Sequence, residues 1–348
     1  MKNKYFGKDN LFVIAEMSGN HNHSLERALD IVDAAAESGA SAIKLQTYTP
    51  DTMTLDSDLP HFRISDPKSL WNGRKLYELY GDASTPWEWH DEIFKKARSL
   101  GLTPFSTPFD STAVEFLESL NVGIYKIASF ENTDLPLIAE VARTGKPMII
   151  SVGLATLGEI EEAVETARNN GCTEYALLKT TSAYPAEPKE ANLATILKLR
   201  EHFSCTVGIS DHTLGIGVSV AAVALGATVI EKHITLDRND GGVDSAFSTT
   251  PDEFASLVTE SNRAFQSIGR EFFGPTEREE KSLIFRRSLF FVRDLEAGSI
   301  ISSGDIRIIR PGYGLAPKFL SQTIGRKLSR AVKVGEPVAF TDFEETRT

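Results

Sequence analysis

The sequence predicts a (β/α)₈ barrel followed by a small β-rich module. Short apolar runs alternate with longer amphipathic stretches eight times within about 265 residues. The apolar runs are almost continuous, which is typical of parallel strands that are covered on both faces. After Gly269 the pattern changes to short runs bounded by glycines. Eight repeated units in this length favour a closed barrel over an open, doubly wound sheet.

Each of the eight β-runs is followed by a helical pattern. The strands are predicted at residues 11–16, 41–46, 102–106, 122–127, 147–152, 175–179, 206–210 and 228–233. The helices are predicted at 24–37, 86–99, 111–119, 135–144, 157–169, 191–202, 217–225 and 251–267. Ser24 is a plausible N-cap for the first helix. A long insertion at 47–84 shows no clear period, so we expect it to be irregular.

An open sheet that binds a dinucleotide needs a glycine-rich turn after its first strand. The segment AEMSG at 15–19 does not supply that turn. Gly215 and Gly217 precede a helix, but they follow the seventh strand and form only a fragment of the motif. We therefore interpret them as an anion-holding helix start at most.

The change of pattern divides the chain into a barrel (1–269), a charged linker (270–285) and a C-terminal module (286–348). The module has about 60 residues and is too small to be very stable alone. It contains eleven Lys and Arg against seven Asp and Glu, whereas residues 1–285 contain 26 against 41. A basic module beside an acidic barrel indicates that it docks on the barrel or helps to hold an anionic substrate.

Bulk composition argues against several classes of protein. The net charge of −11 disfavours nonspecific nucleic-acid binding. Cys172 and Cys205 are far apart and form no CxxC motif, which fits a reducing compartment better than a disulfide framework or a zinc ribbon. Residues 1–10 lack an apolar signal core, and the longest apolar run, 218–230, is too short to span a bilayer. We expect a soluble, cytoplasmic protein.

Two histidines end consecutive strands of the predicted barrel, at the edge where barrels of this kind carry their reactive groups. His212 and His233 follow the seventh and eighth strands, and neighbouring strands lie about 4.8 Å apart. With oxygen ligands such as Glu16, water or substrate, the pair suits Mn²⁺, with Mg²⁺ or Co²⁺ as alternatives. The competing interpretation is that each histidine bonds a rim carbonyl independently. His21 and His23 lie on the first βα loop, and we expect at least one of them to touch substrate.

Lysines and hydroxyl groups form a second cluster at the strand ends. Lys44 and Lys126 lie at the ends of the second and fourth strands. A lysine there is either a Schiff-base nucleophile, as in a class I aldolase, or a fixed charge for a phosphate or carboxylate. Ser129, Ser151 and Ser210 favour the second role, because a phosphate needs many hydrogen-bond donors and an imine does not. The predicted mouth therefore offers an anion pocket beside a metal pocket.

Eight short motifs in the correct order resemble the sialic acid synthase family. They are IAEMSGNHN at 14–22, IKLQT at 43–47, FSTPF at 105–109, YKIAS at 125–129, ISVG at 150–153, SAYP at 182–185, GISDHTLG at 208–215 and IEKH at 230–233. The resemblance covers nearly the whole chain, and the C-terminal module is similar to the antifreeze-like (SAF) domain. It implies a metal-dependent transferase that condenses phosphoenolpyruvate with an amino-sugar aldehyde and releases phosphate by C–O cleavage.

The resemblance also implies a role for each matching residue. His212 and His233 would bind the metal ion. The phosphoenolpyruvate pocket would be lined by Lys44, Thr107, Lys126, Ser129, Ser151, Ser182 and Ser210. Glu16, Glu131, Tyr184 and Asp244 would contact the metal-bound water or the sugar, with Glu131 or Glu16 as the general base. Arg310 would reach from the module of one subunit into the barrel of its partner, in a domain-swapped homodimer.

Two departures from the sialic pattern favour the pseudaminic branch of the family. The usual Gly-Pro-Asp-His after the last strand is replaced by GGVDSAFS at 241–248, and the usual glycine after Asn-His-Asn is His23. Ser182 stands where the sialic branch has asparagine. Ala246 and Phe247 make this wall more apolar, which suits a diacetamido-trideoxy sugar better than N-acetylmannosamine. The alternatives are an N-acetylneuraminate or legionaminate synthase, a metal-dependent aldolase or hydrolase, and a non-catalytic binding protein.

Overall fold

The computed structural model describes residues 5–7 and 10–345, and it divides the chain into two compact units. The first unit spans Met1–Gly269 and the second spans Arg270–Thr348. Residues 1–4, 8–9 and 346–348 lie outside the described part of the chain. The prediction about the N-terminal ten residues therefore falls largely outside it.

Eight parallel strands close into a barrel in the first unit, which confirms the (β/α)₈ prediction. They are β1 (Phe12–Glu16), β2 (Ala42–Thr47), β3 (Thr103–Pro108), β4 (Tyr125–Ile127), β5 (Met148–Ser151), β6 (Tyr175–Thr180), β7 (Thr206–Asp211) and β8 (Val229–His233). Each strand pairs with the next one along the chain, and β1 pairs with β8 to close the sheet. The C-terminal ends of all eight strands therefore meet at one mouth.

The helices of this unit are α1 (Leu25–Glu37), α2 (Pro50–Met53), α3 (Leu76–Ala83), α4 (His90–Ser99), α5 (Ser111–Ser119), α6 (Leu135–Arg143), α7 (Leu157–Asn169), α8 (Ala194–Phe203), α9 (Gly217–Ala224) and α10 (Pro251–Ile268). Ser24 caps α1 as predicted, since its side chain accepts a hydrogen bond from the Arg27 N–H. Thr156 and Thr250 begin α7 and α10 with reciprocal bonds to the glutamate three residues on. Among the described residues, no helix is both long and apolar enough to span a bilayer.

The insertion between β2 and β3 is more regular than its sequence indicates. It contains α2 and α3, and the expectation of an irregular segment was therefore wrong for those residues. Thr49 starts α2 with a capping box, and Pro50 occupies its first turn. α4 begins four residues later than predicted, because Trp87–Trp89 forms a separate 3₁₀ turn. Helices this short show little periodicity, and their caps are the stronger sequence signal.

Two apolar layers hold the barrel together. Inside the sheet, buried side chains from several strands pack on one another, including those of Ile14, Phe105, Ile149 and Leu178. Outside it, a larger layer fills the space between the strands and the surrounding helices. Strands buried on both faces explain the nearly continuous apolar runs of the sequence. The polar residues at the mouth are therefore mounted on a rigid, fully packed scaffold.

The second unit has its own small core. Two antiparallel strands, β9 (Ser288–Phe291) and β10 (Ile306–Ile309), pair with Ile306 opposite Phe291. Two short helices, α11 (Glu277–Glu280) and α12 (Leu320–Thr323), belong to the same unit. The predicted linker, 270–285, contains α11 and a 3₁₀ turn, and the Gly312 N–H donates to the Ile284 carbonyl at 2.8 Å. The end of this segment is thus bonded to the module that follows it.

Candidate active site

The polar strand ends converge on a cavity of about 60 Å³ inside the barrel mouth. Parallel register places Glu16 beside Lys44 on one neighbouring strand and beside His233 on the other. Because side chains alternate along a strand, residues two apart, such as Glu231 and His233, point into the barrel together. The predicted site residues that line the cavity are Glu16, Lys44, Thr107, Lys126, Ser129, Ser151, Tyr184, Ser210, His212 and His233.

Two buried lysines project into this cavity, each with a hydroxyl partner. The Lys44 ammonium lies 2.7 Å from Glu16 Oε2 and donates to Thr107 Oγ1 at 3.1 Å. The Lys126 ammonium donates to Ser151 Oγ at 2.7 Å. Two positive charges with adjacent hydroxyl donors, all shielded from water, form a strong anion site because electrostatic attraction is weakly screened there.

Glu231 supplies a negative charge between the two ammoniums. Its Oε1 lies 3.9 Å from the Lys44 nitrogen and 3.8 Å from the Lys126 nitrogen, and it accepts a hydrogen bond from Ser210 Oγ at 3.0 Å. Burial would raise the pKa of Glu231, but the two lysines outweigh it, so the pKa lies below its usual value. Burial lowers the pKa of Lys126 to about 8, although Glu231 acts in the opposite direction. For Lys44, the attraction of Glu16 and Glu231 outweighs burial and raises the pKa. Of the two lysines, Lys126 therefore loses its charge at the lower pH.

Two shielded hydroxyl groups near the lysines, Ser129 Oγ and Ser182 Oγ, have no hydrogen-bond partner among the described residues. Both point at Gly153, since a Cβ atom added there would lie 2.7 Å from Ser129 Oγ and 2.6 Å from Ser182 Oγ. A buried polar group without a partner is costly. Two such groups that converge on one space indicate a place for the oxygen atoms of a ligand, and Gly153 keeps that space open.

The two histidine rings lie side by side, with their centroids 5.4 Å apart. The Nδ1 atom of His212 lies 2.9 Å from the Thr181 carbonyl oxygen, so Nδ1 carries the proton and Nε2 keeps its lone pair. The Nδ1 atom of His233 has no hydrogen-bond partner among the described residues and lies 3.7 Å from Asp244 Oδ2. Burial lowers the pKa of both rings. Both imidazoles are therefore neutral, which is the form that binds metal ions.

These residues fit a divalent cation. Within residues 5–7 and 10–345, no group of three His, Cys, Asp or Glu side chains is placed to share a metal ion. The two imidazoles would then be the main protein ligands, and the other positions would be filled by oxygen atoms of water or substrate. This is the donor set of an open catalytic site, whereas a closed structural zinc site has four protein ligands. Two observations support a metal ion here. Both imidazole rings are neutral, and the buried His233 Nδ1 has no hydrogen-bond partner among the described residues.

Three further carboxylates surround the cavity. Ser18 Oγ donates to Asp244. Gln46 Nε2 donates to Glu16 Oε1 at 2.9 Å and to Ser18 Oγ at 3.1 Å. Burial raises the pKa of Asp244 to about 6 and that of Glu131 to about 7, and it also raises the pKa of Glu16. A carboxylate that titrates near neutrality is suited to accept a proton from water.

An aromatic wall closes one side of the site. The ring of Tyr184 lies 4.5 Å from that of His212 and 5.3 Å from that of Phe247, measured between centroids. Phe247 also lies 5.0 Å from His233. Trp71, from the insertion, continues the wall 5.9 Å from Tyr184. The 241–248 loop thus places an aromatic side chain beside the histidines.

The remaining predicted residues lie in different places. Arg310 follows β10 in the second unit and is exposed. His21 is buried, with Nε2 3.2 Å from Thr85 Oγ1 and its ring against Trp89, so it supports the loop structure. His23 is exposed. Of the two histidines, His23 therefore remains the candidate for contact with substrate.

Four features of the site were not assigned a role from the sequence. Ser18 and Gly153 lie inside the motifs at 14–22 and 150–153, but their contacts depend on distant loops. The inward orientation of Glu231 follows from the alternation of side chains along β8, because Glu231 precedes the inward-pointing His233 by two residues. Trp71 comes from an insertion without periodicity, and no sequence signal marked it.

The fold and the site together define a (β/α)₈-barrel enzyme with a buried anion cavity beside a histidine pair. The chain belongs to the NeuB family, whose model matches residues 31–272, and an SAF domain matches residues 286–344. It is therefore a sialic-type acid synthase, as the motifs predicted, and synthases of this family generally depend on a metal ion.

Individual relatives agree with this placement. The pseudaminic acid synthase of Helicobacter pylori is 43% identical over 335 residues, which cover 96% of this chain and 98% of the relative. The N,N'-diacetyllegionaminic acid synthase of Legionella pneumophila is 36% identical over 340 residues, 96% of this chain and 94% of the relative. The crystal structure of the N-acetylneuraminic acid synthetase of Leptospira borgpetersenii, in complex with citrate, superposes with a TM-score of 0.72 at 31% identity. That match covers 81% of this chain and 94% of the other.

Proposed function

We propose that this chain is a pseudaminic acid synthase. It condenses phosphoenolpyruvate with 2,4-diacetamido-2,4,6-trideoxy-L-altrose to give pseudaminic acid and phosphate. The observation that carries the proposal is the buried cavity, where the Lys44 and Lys126 ammoniums and the Ser129 hydroxyl, which has no hydrogen-bond partner among the described residues, lie beside a neutral histidine pair. The likeness to a pseudaminic acid synthase over nearly the whole chain supports the choice of sugar.

Phosphoenolpyruvate binds through the lysines and the hydroxyl cluster. The residues that hold it are Lys44, Thr107, Lys126, Ser129, Ser151, Ser182 and Ser210. Its phosphate occupies the space beside Gly153, where the Ser129 and Ser182 hydroxyls have no partner within residues 5–7 and 10–345. Lys126 acts as a fixed charge and forms no covalent bond, because Ser151 and Glu231 favour its protonated form, which has no lone pair for attack. Held in this way, the enol phosphate is oriented and its growing negative charge is stabilised.

His212 and His233 hold a divalent cation, and Mn²⁺ is the ion that we favour. Imidazole and oxygen donors suit Mn²⁺, and Mg²⁺ or Co²⁺ can occupy the same donor set. When bound, the cation supplies Lewis-acid polarisation of the sugar aldehyde. The Thr181 carbonyl fixes the ring of His212 so that its Nε2 faces the site.

The bond changes follow from this placement. Carbon 3 of the enol phosphate attacks the aldehyde carbon, and the aldehyde oxygen becomes a hydroxyl by taking up the proton that the water of the next step releases through a carboxylate. Carbon 2, now electron-poor, accepts a water molecule whose proton passes to a carboxylate. The tetrahedral carbon 2 then expels phosphate by breaking its C–O bond, and its hydroxyl gives the second proton of the water to the departing phosphate, which leaves the 2-keto acid. The four carboxylates and two ammoniums around the cavity stabilise the charges at each stage.

Glu131 is the general base that we favour, with Glu16 as the alternative. The pKa of Glu131 is raised by burial to about 7, and its Oε2 has no hydrogen-bond partner among the described residues. In Glu16, by contrast, both carboxylate oxygens already have partners. Its Oε2 lies 2.7 Å from the Lys44 ammonium, and its Oε1 accepts a hydrogen bond from Gln46 Nε2 at 2.9 Å. Asp244 lies beside His233 and accepts from Ser18, so its part is to position the sugar and the histidine.

The sugar choice rests on the aromatic wall. Tyr184 and Phe247 place their rings next to the histidine pair, where the sugar chain must lie if its aldehyde is at the metal. A deoxygenated sugar with a methyl group gains from contact with such a wall, whereas a hydroxyl-rich hexosamine loses hydrogen bonds to water. N-acetylneuraminate and legionaminate synthesis are the alternative reactions within the same class.

A metal-dependent aldolase is the alternative from another class. It would use the histidine pair but would need no second anion cradle. The two lysines, with Ser129 and Ser182, supply such a cradle, and this observation favours the phosphoenolpyruvate reaction. Phosphate release separates the two, because an aldolase does not liberate phosphate from phosphoenolpyruvate.

The active assembly that we propose is a cytoplasmic, domain-swapped homodimer. Arg310 lies exposed at the end of β10, and in a swapped dimer it would reach the sugar site of the partner's barrel. The basic charge of the module and the acidic charge of the barrel favour such docking. Both cysteines are free, which agrees with a reducing compartment.

The test of the function compares sugars in one phosphate-release assay. Phosphoenolpyruvate is offered with the diacetamido-trideoxy-altrose, with N-acetylmannosamine and with the sugar that legionaminate synthases use. We expect kcat/KM to favour the altrose sugar over N-acetylmannosamine by roughly 10–200-fold, the range that one apolar group provides. Equal kcat/KM for the three sugars would refute pseudaminic specificity, and absence of phosphate release with every sugar would refute the synthase proposal.

A further inference from the structure

A second groove, of about 590 Å³, lies beside the 241–248 loop. Three segments build it: the first βα loop, the insertion between β2 and β3, and the loop after β8. The lining residues that matter here are His23, Leu70, Trp71, Arg74, Val243 and Ala246. None of these residues belongs to the inner cavity, so the groove is a separate surface of the same barrel mouth.

Trp71 joins this groove to the inner cavity. Its indole N–H donates to the Val243 carbonyl at 3.1 Å, and its ring lies 5.9 Å from Tyr184, which lines the inner cavity. The 3₁₀ turn Ser245–Phe247 makes a second connection. Phe247 packs on His233, whereas Ala246 of the same turn lines the groove. A ligand that leaves the histidine pair along this wall therefore enters the groove.

His23 occupies a backbone conformation that favours glycine. Its φ is +53°, and Asn22 before it has a φ of +48°. Left-handed backbone is uncommon for residues other than glycine and tends to persist where it serves a function. Asn22 is held by a bond from its Nδ2 to the Asp240 carbonyl at 3.1 Å. The His23 ring is exposed, and no side-chain hydrogen bond holds it within the described part of the chain. The ring meets the edge of the buried His21 ring, with centroids 5.9 Å apart, and its other side is open to the groove.

The charges of the groove are already compensated. Arg74, the one cation among the residues that line it, forms an ion pair with Asp82. Asp240 is paired with Arg27 at 2.6 Å. A groove without an unpaired charge suits a neutral ligand. The indole and imidazole faces suit methyl and C–H groups, and a ring nitrogen of His23 suits an amide group.

We propose that this groove binds the acetamido-bearing end of the amino sugar that lies away from the aldehyde, with His23 and Trp71 as specificity-determining residues. The inference rests on the proposed function, because it takes the aldehyde to lie at the histidine pair. An acetamido group has a methyl group, which the Trp71 and His23 rings can contact, and an amide group, which a His23 ring nitrogen can bond. The groove thus gives a reason for a histidine where glycine would be unstrained.

The test uses His23→Gly, with Asn121→Gly as the matched control. Asn121 is exposed and has the same φ of +53°, but it follows α5 and lies outside the groove lining. Glycine adopts this φ without strain, so both variants should keep the wild-type melting temperature within a few degrees. We expect His23→Gly to raise KM for the diacetamido sugar about 10-fold, within the range for one lost contact, and to leave KM for phosphoenolpyruvate unchanged. Asn121→Gly should change neither constant.

Trp71→Leu provides a second measurement, and Trp71→Phe is its conservative partner. We expect the leucine variant to lose selectivity for the diacetamido sugar over N-acetylmannosamine about 10-fold, and the phenylalanine variant to keep most of it. If both His23→Gly and Trp71→Leu retain the wild-type sugar KM and selectivity, the groove has no part in sugar binding. Wild-type enzyme in the same assay reports on the proposed function separately. If wild type turns over none of the sugars, the function fails, and this inference fails with it.

Discussion

Replacing Glu231 by glutamine should move the pH dependence of phosphoenolpyruvate binding to lower pH. Glu231 Oε1 lies 3.8 Å from the Lys126 nitrogen, and its charge raises the pKa of Lys126 against the effect of burial, leaving it at about 8. Glutamine keeps the shape and the bond from Ser210 but removes the charge. Lys126 should therefore lose its proton at a lower pH in the variant than in the wild type.

The size of this effect follows from the distance. An opposite charge at this separation shifts a pKa by about 1–3 units. With a shift of about 1.5 units, the ammonium fraction of Lys126 at pH 8 falls from about one half to about 3%. If phosphoenolpyruvate requires the ammonium, its KM at pH 8 rises about 16-fold relative to wild type. A lysine is charged below its pKa, so at pH 6 both proteins should have a KM within about 1.5-fold of each other.

The assay is steady-state phosphate release between pH 6 and 8.5, with saturating sugar and metal and with wild type measured at each pH. Glu174→Gln is the control, because Glu174 is a partly buried carboxylate just before β6, at the opposite end of the barrel. It should follow the wild-type profile. If the KM of Glu231→Gln stays parallel to wild type at every pH, the assignment of Lys126 as a charge tuned by Glu231 is wrong.

Three further predictions concern the metal, the base and the assembly. Chelation should abolish turnover, and Mn²⁺ or Co²⁺ should restore it. His233→Ala should lower the amount of bound metal measured by elemental analysis. Full activity in excess chelator would contradict the metal site. Because the pKa of Glu131 is about 7, and the base must be ionised, wild-type kcat should fall as pH drops below about 7. Glu131→Gln should lose that limb and about 10²–10⁴-fold in kcat, and an unchanged profile would exclude Glu131 as the base. Arg310→Ala and Lys126→Ala should each be defective, yet regain partial activity when mixed, because a swapped dimer forms one site with both residues intact. Failure to recover, with subunit exchange verified, would overturn the swap.

The barrel could be predicted because its signals are local and repeated. The strands are largely apolar before their C-terminal ends because both faces of the sheet are buried, and Ser24 marks the start of α1 by its own chemistry. The insertion could not be predicted in the same way. Its helix α3 has eight residues and buries only Leu79 among them, so it lacks a continuous apolar face. Short helices of this kind are stabilised by the tertiary contacts around them, which the sequence pattern does not display.

The residues of the site likewise fall into those that the sequence could place and those that it could not. Strand-end residues such as Lys44 and His233 could be placed because the end of a barrel strand is a known position. Residues whose role depends on groups that the fold brings together from distant parts of the chain could not be placed. Ser129 and Ser182 are 53 positions apart, and only the fold brings both hydroxyls to Gly153. Trp71 reaches Tyr184 in the same way, from a segment that shows no period.

The fate of the bridging oxygen of phosphoenolpyruvate tests the central claim most directly. The enzyme is supplied with the diacetamido-trideoxy-altrose and phosphoenolpyruvate labelled with ¹⁸O between carbon 2 and phosphorus, and both products are analysed by mass spectrometry. The proposed reaction predicts a nine-carbon acid with the mass of unlabelled pseudaminic acid, and ¹⁸O in the phosphate, because the C–O bond breaks and water supplies the new oxygen. Label retained in the sugar acid would mean P–O cleavage and contradict the mechanism, and absence of the nine-carbon acid would contradict the proposed reaction.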